Sequence, residues 1–336
     1  MTDRVNAGVS VATTDADLMI ARRGLLGEDL ARLDRMIEIR LVEDRLQALF
    51  NEGLVRGSTH LSNGQEAVAV GIAACLRITD WVACTYRGHG TALALGLTPT
   101  SVIGEIIGRT SGCVGGLGGS MHLSGPEVGL LPTFAIVGAG YPVATGAALT
   151  ACVRGTDDVA VAICGDGATN IGAFHESLNL AAIWSLPVIF VIENNLYGEY
   201  TRIQLSTPVA DLADRAAAYD MPSEIVDGQR IDAVMDAMNR AIARARSGQG
   251  PTLLEMKTYR YSGHSRADQA TYRPAGELDA WLQRDPIALY AQQLGLSESD
   301  LDQRREHIVA QVNEAAKIAL ESPEPPIGDL FAFVSA

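Results

Sequence analysis

Two uninterrupted apolar runs, separated by one helical segment, constrain the fold of this chain more than any other feature. The runs are DVAVAIC (158–164) and PVIFVIE (187–193), and each has the length and the branched residues of a buried strand. Between them, the segment FHESLNLAAIWS places Phe174, Leu178 and Ala181 on one side of a predicted helix. Two buried strands joined by a helix form a βαβ unit with parallel pairing. We therefore predict an α/β protein with a largely parallel sheet flanked by helices.

The rest of the chain of 336 residues extends this pattern. We predict a flexible polar N-terminal arm over residues 1–25 and a single α/β domain over residues 26–336. A C-terminal extension of that domain is expected to be an amphipathic helix with Ile308, Val312, Ala316 and Leu320 on its apolar side. The stretch 108–126 contains seven glycines, so its backbone must turn tightly or approach another group closely.

Composition excludes several classes of function. A net charge of −14, from 40 acidic and 26 basic residues, argues against a general nucleic-acid binder. The five cysteines lack CxxC spacing, which argues against a zinc site or a disulfide framework. The N-terminus has no basic segment followed by an apolar one, and no run reaches the roughly 18 apolar residues of a membrane span. We therefore expect no membrane association and a cytoplasmic location.

Polar residues follow both buried runs at the point where each strand ends. Asp166 follows the first run, and Asn195 follows the second. In a right-handed βαβ unit the carboxyl ends of both strands meet at one edge of the sheet. A carboxylate and an amide oxygen at this edge suit Mg²⁺ or Ca²⁺ better than a transition metal.

The turn GDGATN (165–170) also leads into a predicted helix N-terminus, where free N–H groups attract anions. Together these features predict a phosphate ligand bridged by a metal. A nicotinamide dinucleotide site is the competing interpretation, but its GxGxxG pattern would need glycine where Asn170 or Val143 stands. A non-catalytic subunit remains a third alternative.

The sequence GDG, followed by 26 residues (168–193) and then NN, resembles the thiamine diphosphate motif of thiamine-dependent enzymes. The resemblance implies that Asp166 and Asn195 bind Mg²⁺ through their side chains and that Tyr197 binds it through its backbone carbonyl. We therefore expect the position of Tyr197 to matter more than its side chain. Gly165, Gly167 and Ala168 of the turn are implied to contact the cofactor.

Over about residues 30–325, the chain resembles the alpha subunit of the first component of 2-oxo acid dehydrogenases. The pyruvate, acetoin and branched-chain enzymes are members of this family. The resemblance rests on the segments STHLSNGQEAV (58–68), TYRGHG (85–90), IVGAG (136–140) and YSGHSRADQATYR (261–273). The cofactor contacts that it implies are made by Tyr86, Arg87, Ile136, Val137, Gly138 and His264. His60 and His264 are the implied catalytic residues, and Asp268, Tyr272 and Arg273 would order the loop that carries His264.

The resemblance also implies an activity and partners. The chain would cleave the carbon–carbon bond of acetoin or of a 2-oxo acid such as pyruvate, with thiamine diphosphate and Mg²⁺ as cofactors. It would act only in a heterotetramer of two alpha and two beta subunits and would pass its product to a lipoyl acyltransferase. Ala135 and Leu117 depart from residues that are usual in the family, and Gly140 departs from the pattern of pyruvate-type members. GAGYPVATGAAL (138–149) is more similar to the acetoin type. A branched-chain enzyme is the alternative within the family.

Overall fold

The computed structural model describes residues 14–55 and 57–328. The strands are β1 (Trp81–Ala83), β2 (Ala160–Gly165), β3 (Val188–Asn194), β4 (Tyr197–Gly198), β5 (Thr201–Arg202), β6 (Ser223–Asp227) and β7 (Thr252–Lys257).

The helices are α1 (Asp15–Gly24), α2 (Asp29–Asn51), α3 (Glu66–Cys75), α4 (His89–Leu95), α5 (Pro99–Ile106), α6 (Gly140–Arg154), α7 (Gly172–Ile183), α8 (Ile203–Ser206), α9 (Ile231–Arg246), α10 (Glu277–Leu282), α11 (Pro286–Gln293) and α12 (Glu298–Glu321). Short 3₁₀ segments occupy Leu25–Gly27, Pro126–Val128, Asp166–Asn170 and Leu212–Tyr219. None of the helices within the described ranges combines the length and the apolar character that a membrane crossing requires.

The central sheet is parallel, as the two apolar runs predict. Within the described residues it has five strands in the order β1-β2-β3-β7-β6. Strands β2 and β3 pair from Ala160 with Val188 to Gly165 with Glu193, so their carboxyl ends lie side by side. The prediction of a largely parallel sheet flanked by helices is therefore confirmed.

Side chains of the central strands alternate between two apolar cores. Val161, Ile163 and Val191 belong to the core that also contains residues of α2, α3 and α9. Phe190 and Ile192 belong to the opposite core, where residues of α6 and α7 pack. Because both faces of β2 and β3 are covered, their sequences are continuously apolar and do not alternate with polar residues.

The structure differs from the sequence prediction at the N-terminal arm. Residues 1–13 lie outside the described part of the chain, but Asp15–Gly24 form helix α1 where a flexible arm was predicted. Thr14 and Asp17 form a capping box at its start, which satisfies free N–H groups of the first turn. Arg23 is buried and donates hydrogen bonds to the carbonyls of Val128 and Arg77. These tertiary contacts stabilise a helix whose own sequence is too polar to predict it.

The C-terminal helix is present as predicted. Helix α12 begins with a capping box formed by Ser297 and Asp300. It buries Ile308, Val312 and Ala316 and packs against α2 and α5. The far end of the chain therefore contributes to the same core as the first long helix.

Candidate active site

A cavity of about 530 Å³ opens at the carboxyl ends of β2 and β3. Its walls come from the loops after β1, β2, β3 and β7 and from the loop before α3. This is the edge of a parallel sheet where ligands of α/β proteins bind. The residues that line it are His60, Thr85, Tyr86, Arg87, Met121, Ala135, Val137, Gly165, Asp166, Gly167, Ala168, Asn170, Glu193, Asn195, Tyr197, Gly198, Glu199, Thr201, Ser206, Arg260 and His264.

Asp166 presents an unsatisfied carboxylate oxygen at this cavity. Its side chain is almost fully buried, and its Oδ1 accepts a hydrogen bond of 2.9 Å from the Gly167 N–H. Its Oδ2 is buried and has no hydrogen-bond partner. Burial raises the pKa of Asp166 to about 6. A buried carboxylate oxygen without a partner is energetically costly, and a hard cation would satisfy it.

The two asparagines at the end of β3 have different environments. Asn194 donates to the buried Glu255 carboxylate at 2.7 Å and accepts from the Leu196 N–H at 3.1 Å, so its amide is used within the protein. Asn195 lines the cavity, and its Nδ2 donates to Gln65 Oε1 at 3.2 Å. Because the amide nitrogen is used in that contact, Oδ1 of Asn195 is the atom available to a ligand. This oxygen also accepts a weak hydrogen bond from the Tyr197 N–H at 3.4 Å.

The donor set fits a hard cation such as Mg²⁺. Within the described residues, no group of three or more His, Cys, Asp or Glu side chains could hold a metal ion. Mg²⁺ does not need such a cage, because it takes few protein ligands and completes its shell with water and phosphate oxygens. Asp166, Asn195 and Tyr197 all line the cavity and could supply carboxylate, amide and carbonyl oxygens.

Two buried arginines supply positive charge beside these oxygens. Arg87 donates to the carbonyls of Leu61 at 2.6 Å and His264 at 2.9 Å, which joins three separate loops. Burial and the neighbouring Arg260 lower the pKa of Arg87 to about 10, so it stays charged at neutral pH. Arg260 is 1% exposed, and its Nε has no hydrogen-bond partner. Two incompletely compensated guanidinium groups fit an anionic ligand such as a diphosphate.

His60, Tyr86 and His264 form an aromatic cluster in the wall of the cavity. The His60 ring lies 4.4 Å from Tyr86 and 5.0 Å from His264, measured between centroids. Burial and the nearby Arg87 lower the pKa of His60 to about 3 and that of His264 to about 4. Both imidazoles are therefore neutral at physiological pH, and each can donate one hydrogen bond and accept another.

A hydrogen bond from Arg260 determines the tautomer of His264. Nη1 of Arg260 lies 3.3 Å from Nδ1 of His264. A guanidinium group can only donate, so Nδ1 must accept, and in the neutral ring Nε2 carries the proton. His264 is therefore a hydrogen-bond donor through Nε2.

Asp268 organises the loop 262–273 around His264. Its carboxylate accepts from the N–H of His264 at 2.6 Å, from the N–H of Ala270 at 2.8 Å and from the Tyr272 hydroxyl at 2.8 Å. Arg273 donates to the carbonyls of Arg260, Tyr261 and Ser262. The side chains of Asp268, Tyr272 and Arg273 therefore hold the loop on the end of β7.

The segment 136–138 lies before helix α6 at the side of the cavity. Val137 is among the lining residues, whereas Ile136 and Gly138 are not. Gly138 has φ +75°, and a Cβ atom there would collide with Ile171. Ile136 exposes 75% of its surface to solvent. The fold therefore constrains the backbone of residues 136–138 more than it constrains their apolar side chains.

The glycine-rich stretch has a structural explanation. The buried Glu105 carboxylate accepts hydrogen bonds from the N–H groups of Val114, Gly116, Gly118 and Gly119 at 2.7–3.1 Å. These N–H groups surround a carboxylate of the protein itself and leave no free nest for a phosphate. The loop then continues to Ser120, whose hydroxyl lies 2.8 Å from Nε2 of the buried His89.

Most of the predicted site residues line the cavity, together with charged groups that were not predicted. The residues brought together include His60, Tyr86, Arg87, Asp166, Asn195, Tyr197 and His264. The charged groups of the cavity that were not predicted include Arg260 and Glu193. Arg260 could have been found, because it follows β7 and the carboxyl end of a third parallel strand reaches the same edge. Burial raises the pKa of Glu193 to about 7, an environment that no local pattern reveals.

A parallel α/β fold with a cavity of about 530 Å³ at the strand ends, lined by carboxylate, amide and guanidinium groups, defines the class of this protein. Residues 34–328 match the family described as "Dehydrogenase E1 component". The chain belongs to this family, which confirms the resemblance inferred from its motifs.

Individual relatives are similar over nearly their whole length. The alpha subunit of acetoin:2,6-dichlorophenolindophenol oxidoreductase from Bacillus subtilis is 42% identical over 94% of this chain and 97% of its own. The protein of the same name from Cupriavidus necator is 43% identical over 89% of this chain and 92% of its own. The alpha subunit of the pyruvate dehydrogenase E1 component from Rhizobium meliloti is 38% identical, with coverages of 90% and 89%.

Proposed function

We propose that this chain is the alpha subunit of a thiamine diphosphate- and Mg²⁺-dependent dehydrogenase of the acetoin or pyruvate type. Its substrate would be acetoin or a 2-oxo acid such as pyruvate. The single observation that carries the proposal is the buried, unpartnered Oδ2 of Asp166 beside Asn195 in the cavity. A metal ion bound there would satisfy that oxygen, and it would attract a diphosphate into a cavity that already holds Arg87 and Arg260.

The polar groups at the strand ends divide between the metal and the diphosphate in this proposal. Asp166, Asn195 and the carbonyl of Tyr197 hold the metal. Arg87 and Arg260 balance the charge of the diphosphate through charge-assisted hydrogen bonds. The bound thiamine supplies the electron sink that allows a carbon–carbon bond next to a carbonyl to break.

The histidines act on the substrate as neutral groups. His264 presents its Nε2–H as a hydrogen-bond donor to an oxygen of the substrate or the cofactor. His60 lies 5.0 Å from His264, and its buried Nδ1 has no partner. Proton transfer through Nδ1 of His60 therefore requires a ligand or a shift of its loop to provide a partner for that nitrogen.

The proposal includes a beta subunit and, downstream, a lipoyl acyltransferase. The relatives are named as alpha subunits. Apolar side chains near the cavity and on α6 are exposed: Ile136 by 75% and Val153 by 80%. In the proposed assembly the beta subunit would cover these side chains. The proposed assembly contains two alpha and two beta subunits.

The decisive experiment compares the purified chain with the complex that it forms with its beta subunit. Reduction of an artificial electron acceptor would be followed with acetoin or pyruvate, in the presence of thiamine diphosphate and Mg²⁺. We expect turnover by the complex and little by the chain alone. The ratio of kcat/KM for the two substrates identifies the natural one, and the higher identity to acetoin-type relatives favours acetoin.

Asp166→Asn provides the matched variant for this test. It is nearly isosteric but removes the charge that the metal requires, and it should abolish turnover and the rise in melting temperature on adding Mg²⁺ and thiamine diphosphate. Asp302→Asn, at an exposed position on α12, should leave both unchanged. Stabilisation by NAD⁺ in place of thiamine diphosphate, or full activity of Asp166→Asn, would overturn the proposal.

A further inference from the structure

The side chain of Tyr197 has a specific environment that its proposed backbone role does not require. The residue begins strand β4 and pairs with Arg202 of strand β5. Tyr197 is 3% exposed although it lines the cavity, so its phenol group is directed into the protein. The preceding Leu196 has φ +75°. A strand of two residues entered through a left-handed residue has few backbone contacts to fix it.

Glu277, at the start of α10, accepts the phenol hydrogen of Tyr197. The distance from the Tyr197 hydroxyl to Oε1 of Glu277 is 2.7 Å. Oε2 of Glu277 forms an ion pair of 2.5 Å with Arg202. Arg202 also donates to the Tyr197 hydroxyl at 2.9 Å. The three groups thus form a closed network that joins both strands of the hairpin to α10.

Tyr259 also contacts the carboxylate of Glu277. Its hydroxyl donates to Oε1 of Glu277 at 2.9 Å. Tyr259 does not belong to the hairpin, because it follows β7 and stacks on Trp281 of α10 with ring centroids 5.3 Å apart. Two phenols therefore bind one carboxylate oxygen, and only one of them connects that carboxylate to the loop 195–198.

We propose that Glu277 is a positioning residue that fixes the backbone carbonyl of Tyr197 on the metal through the Tyr197 phenol. The inference rests on the proposed function, since it assumes a divalent cation held by Asp166, Asn195 and Tyr197. It reverses the expectation that the side chain of Tyr197 matters little. A carbonyl ligand on a two-residue strand can turn away from the metal unless the side chain on the same residue is anchored.

The test measures metal binding directly. The complex of the full chain with its beta subunit, freed of cofactor, is titrated with Mn²⁺ at saturating thiamine diphosphate, and free Mn²⁺ is read from its electron paramagnetic resonance signal. Tyr197→Phe removes one hydroxyl and should weaken Mn²⁺ binding about tenfold, the lower end of what loss of a group behind a metal ligand costs. Excess Mg²⁺ should restore most of the kcat of this variant.

Tyr259→Phe is the matched control. It removes one hydroxyl and one hydrogen bond to the same oxygen of Glu277, whereas Tyr197→Phe also removes the hydrogen bond accepted from Arg202 and should lose somewhat more thermal stability without cofactor. Only Tyr197→Phe should lose Mn²⁺ affinity. Glu277→Ala should weaken Mn²⁺ binding at least as much as Tyr197→Phe. The double variant Tyr197→Phe/Glu277→Ala should bind Mn²⁺ as well as Glu277→Ala alone, because both changes break the same hydrogen bond.

The outcomes separate this inference from the proposed function. Wild-type Mn²⁺ affinity in Tyr197→Phe, or an equal loss in Tyr259→Phe, overturns the role of Glu277 and leaves the proposed function intact. Failure of the unaltered complex to bind Mn²⁺ with thiamine diphosphate refutes the proposed function and this inference with it.

Discussion

Replacing Glu105 by glutamine should destabilise the chain through the glycine-rich loop alone. Each carboxylate oxygen of Glu105 accepts two backbone N–H groups: Oε2 accepts those of Val114 and Gly116, and Oε1 those of Gly118 and Gly119. An amide offers one accepting oxygen, and its NH₂ group would face two N–H donors. Two hydrogen bonds are therefore lost, and the other two lose their charged acceptor.

The structure gives the scale of this loss. Hydrogen bonds to a charged group contribute about 1.5–3 kcal/mol each, so two lost bonds cost about 3 kcal/mol at the lower end. The lower end applies because the loop residues 111–116 are only partly buried and water can reach some of the freed N–H groups. A loss of about 3 kcal/mol is a large fraction of the 5–15 kcal/mol that stabilises a typical protein.

Urea denaturation of the chain measures this loss, and hydrogen exchange locates it. The amides of Val114, Gly116, Gly118 and Gly119 should exchange faster in Glu105→Gln, whereas amides of β2 and β3 should change only with global stability. Glu127→Gln, at an exposed position, is the control and should change stability by less than about 0.5 kcal/mol. A loss below about 1 kcal/mol with unchanged exchange in the loop would refute the reasoning.

Three further predictions concern the cavity. Asn195→Ala should abolish Mg²⁺-dependent binding of thiamine diphosphate, as measured by calorimetry, because it removes an amide oxygen that Asn194 cannot replace. Lowering the pH from 7 to 5 should make His60 and His264 oppose folding of the apo chain, because the unfolded state protonates them near pH 6.5 while the folded state, with pKa values of about 3 and 4, does not; protonation of Asp166 and Glu193, with pKa values of about 6 and 7, favours the folded state over the same range. The cost is up to about 2 kcal/mol for each histidine, and His264→Gln should remove its share of the pH dependence in thermal melts. Gly138→Ala should lower both the melting temperature and the cofactor affinity, since the residue has φ +75° and a Cβ would collide with Ile171; a wild-type melting temperature would contradict the strain.

The parallel sheet could be predicted because its signal is local. Continuous apolar runs such as PVIFVIE occur where helices cover both faces of a strand, and the structure has this arrangement around β3. Helix α1 was not predicted: the capping box of Thr14 and Asp17 is its one local signal, and its stability depends on Arg23 reaching carbonyls at residues 77 and 128. Contacts over such separations leave no periodic pattern in the sequence.

The candidate site likewise combines residues that the sequence predicts with contacts that depend on distant parts of the chain. Asp166 and Asn195 were predictable because strand ends in a parallel sheet converge. The contacts of the Tyr197 side chain could not be predicted, because its hydroxyl donates to Glu277, which lies 80 positions later on a short helix. The glycine-rich loop was ambiguous for a similar reason: glycines show that a backbone approaches something closely, and only the structure identifies Glu105 as that group.

The order in which the strands of the sheet are synthesised determines when the complete cavity can form. Arg87 binds the carbonyl of His264, 177 positions later, and β7 enters the sheet beside β3 only after β6 and α9 have been made. Such distant pairings form late, because long loops must close before any contact stabilises them. A growing chain that has just completed β6 already has the residues of the proposed metal site but lacks Arg260, Glu277 and the loop of His264. A cofactor that needs Arg260, Glu277 and the loop of His264 would therefore bind tightly only after synthesis has passed α10.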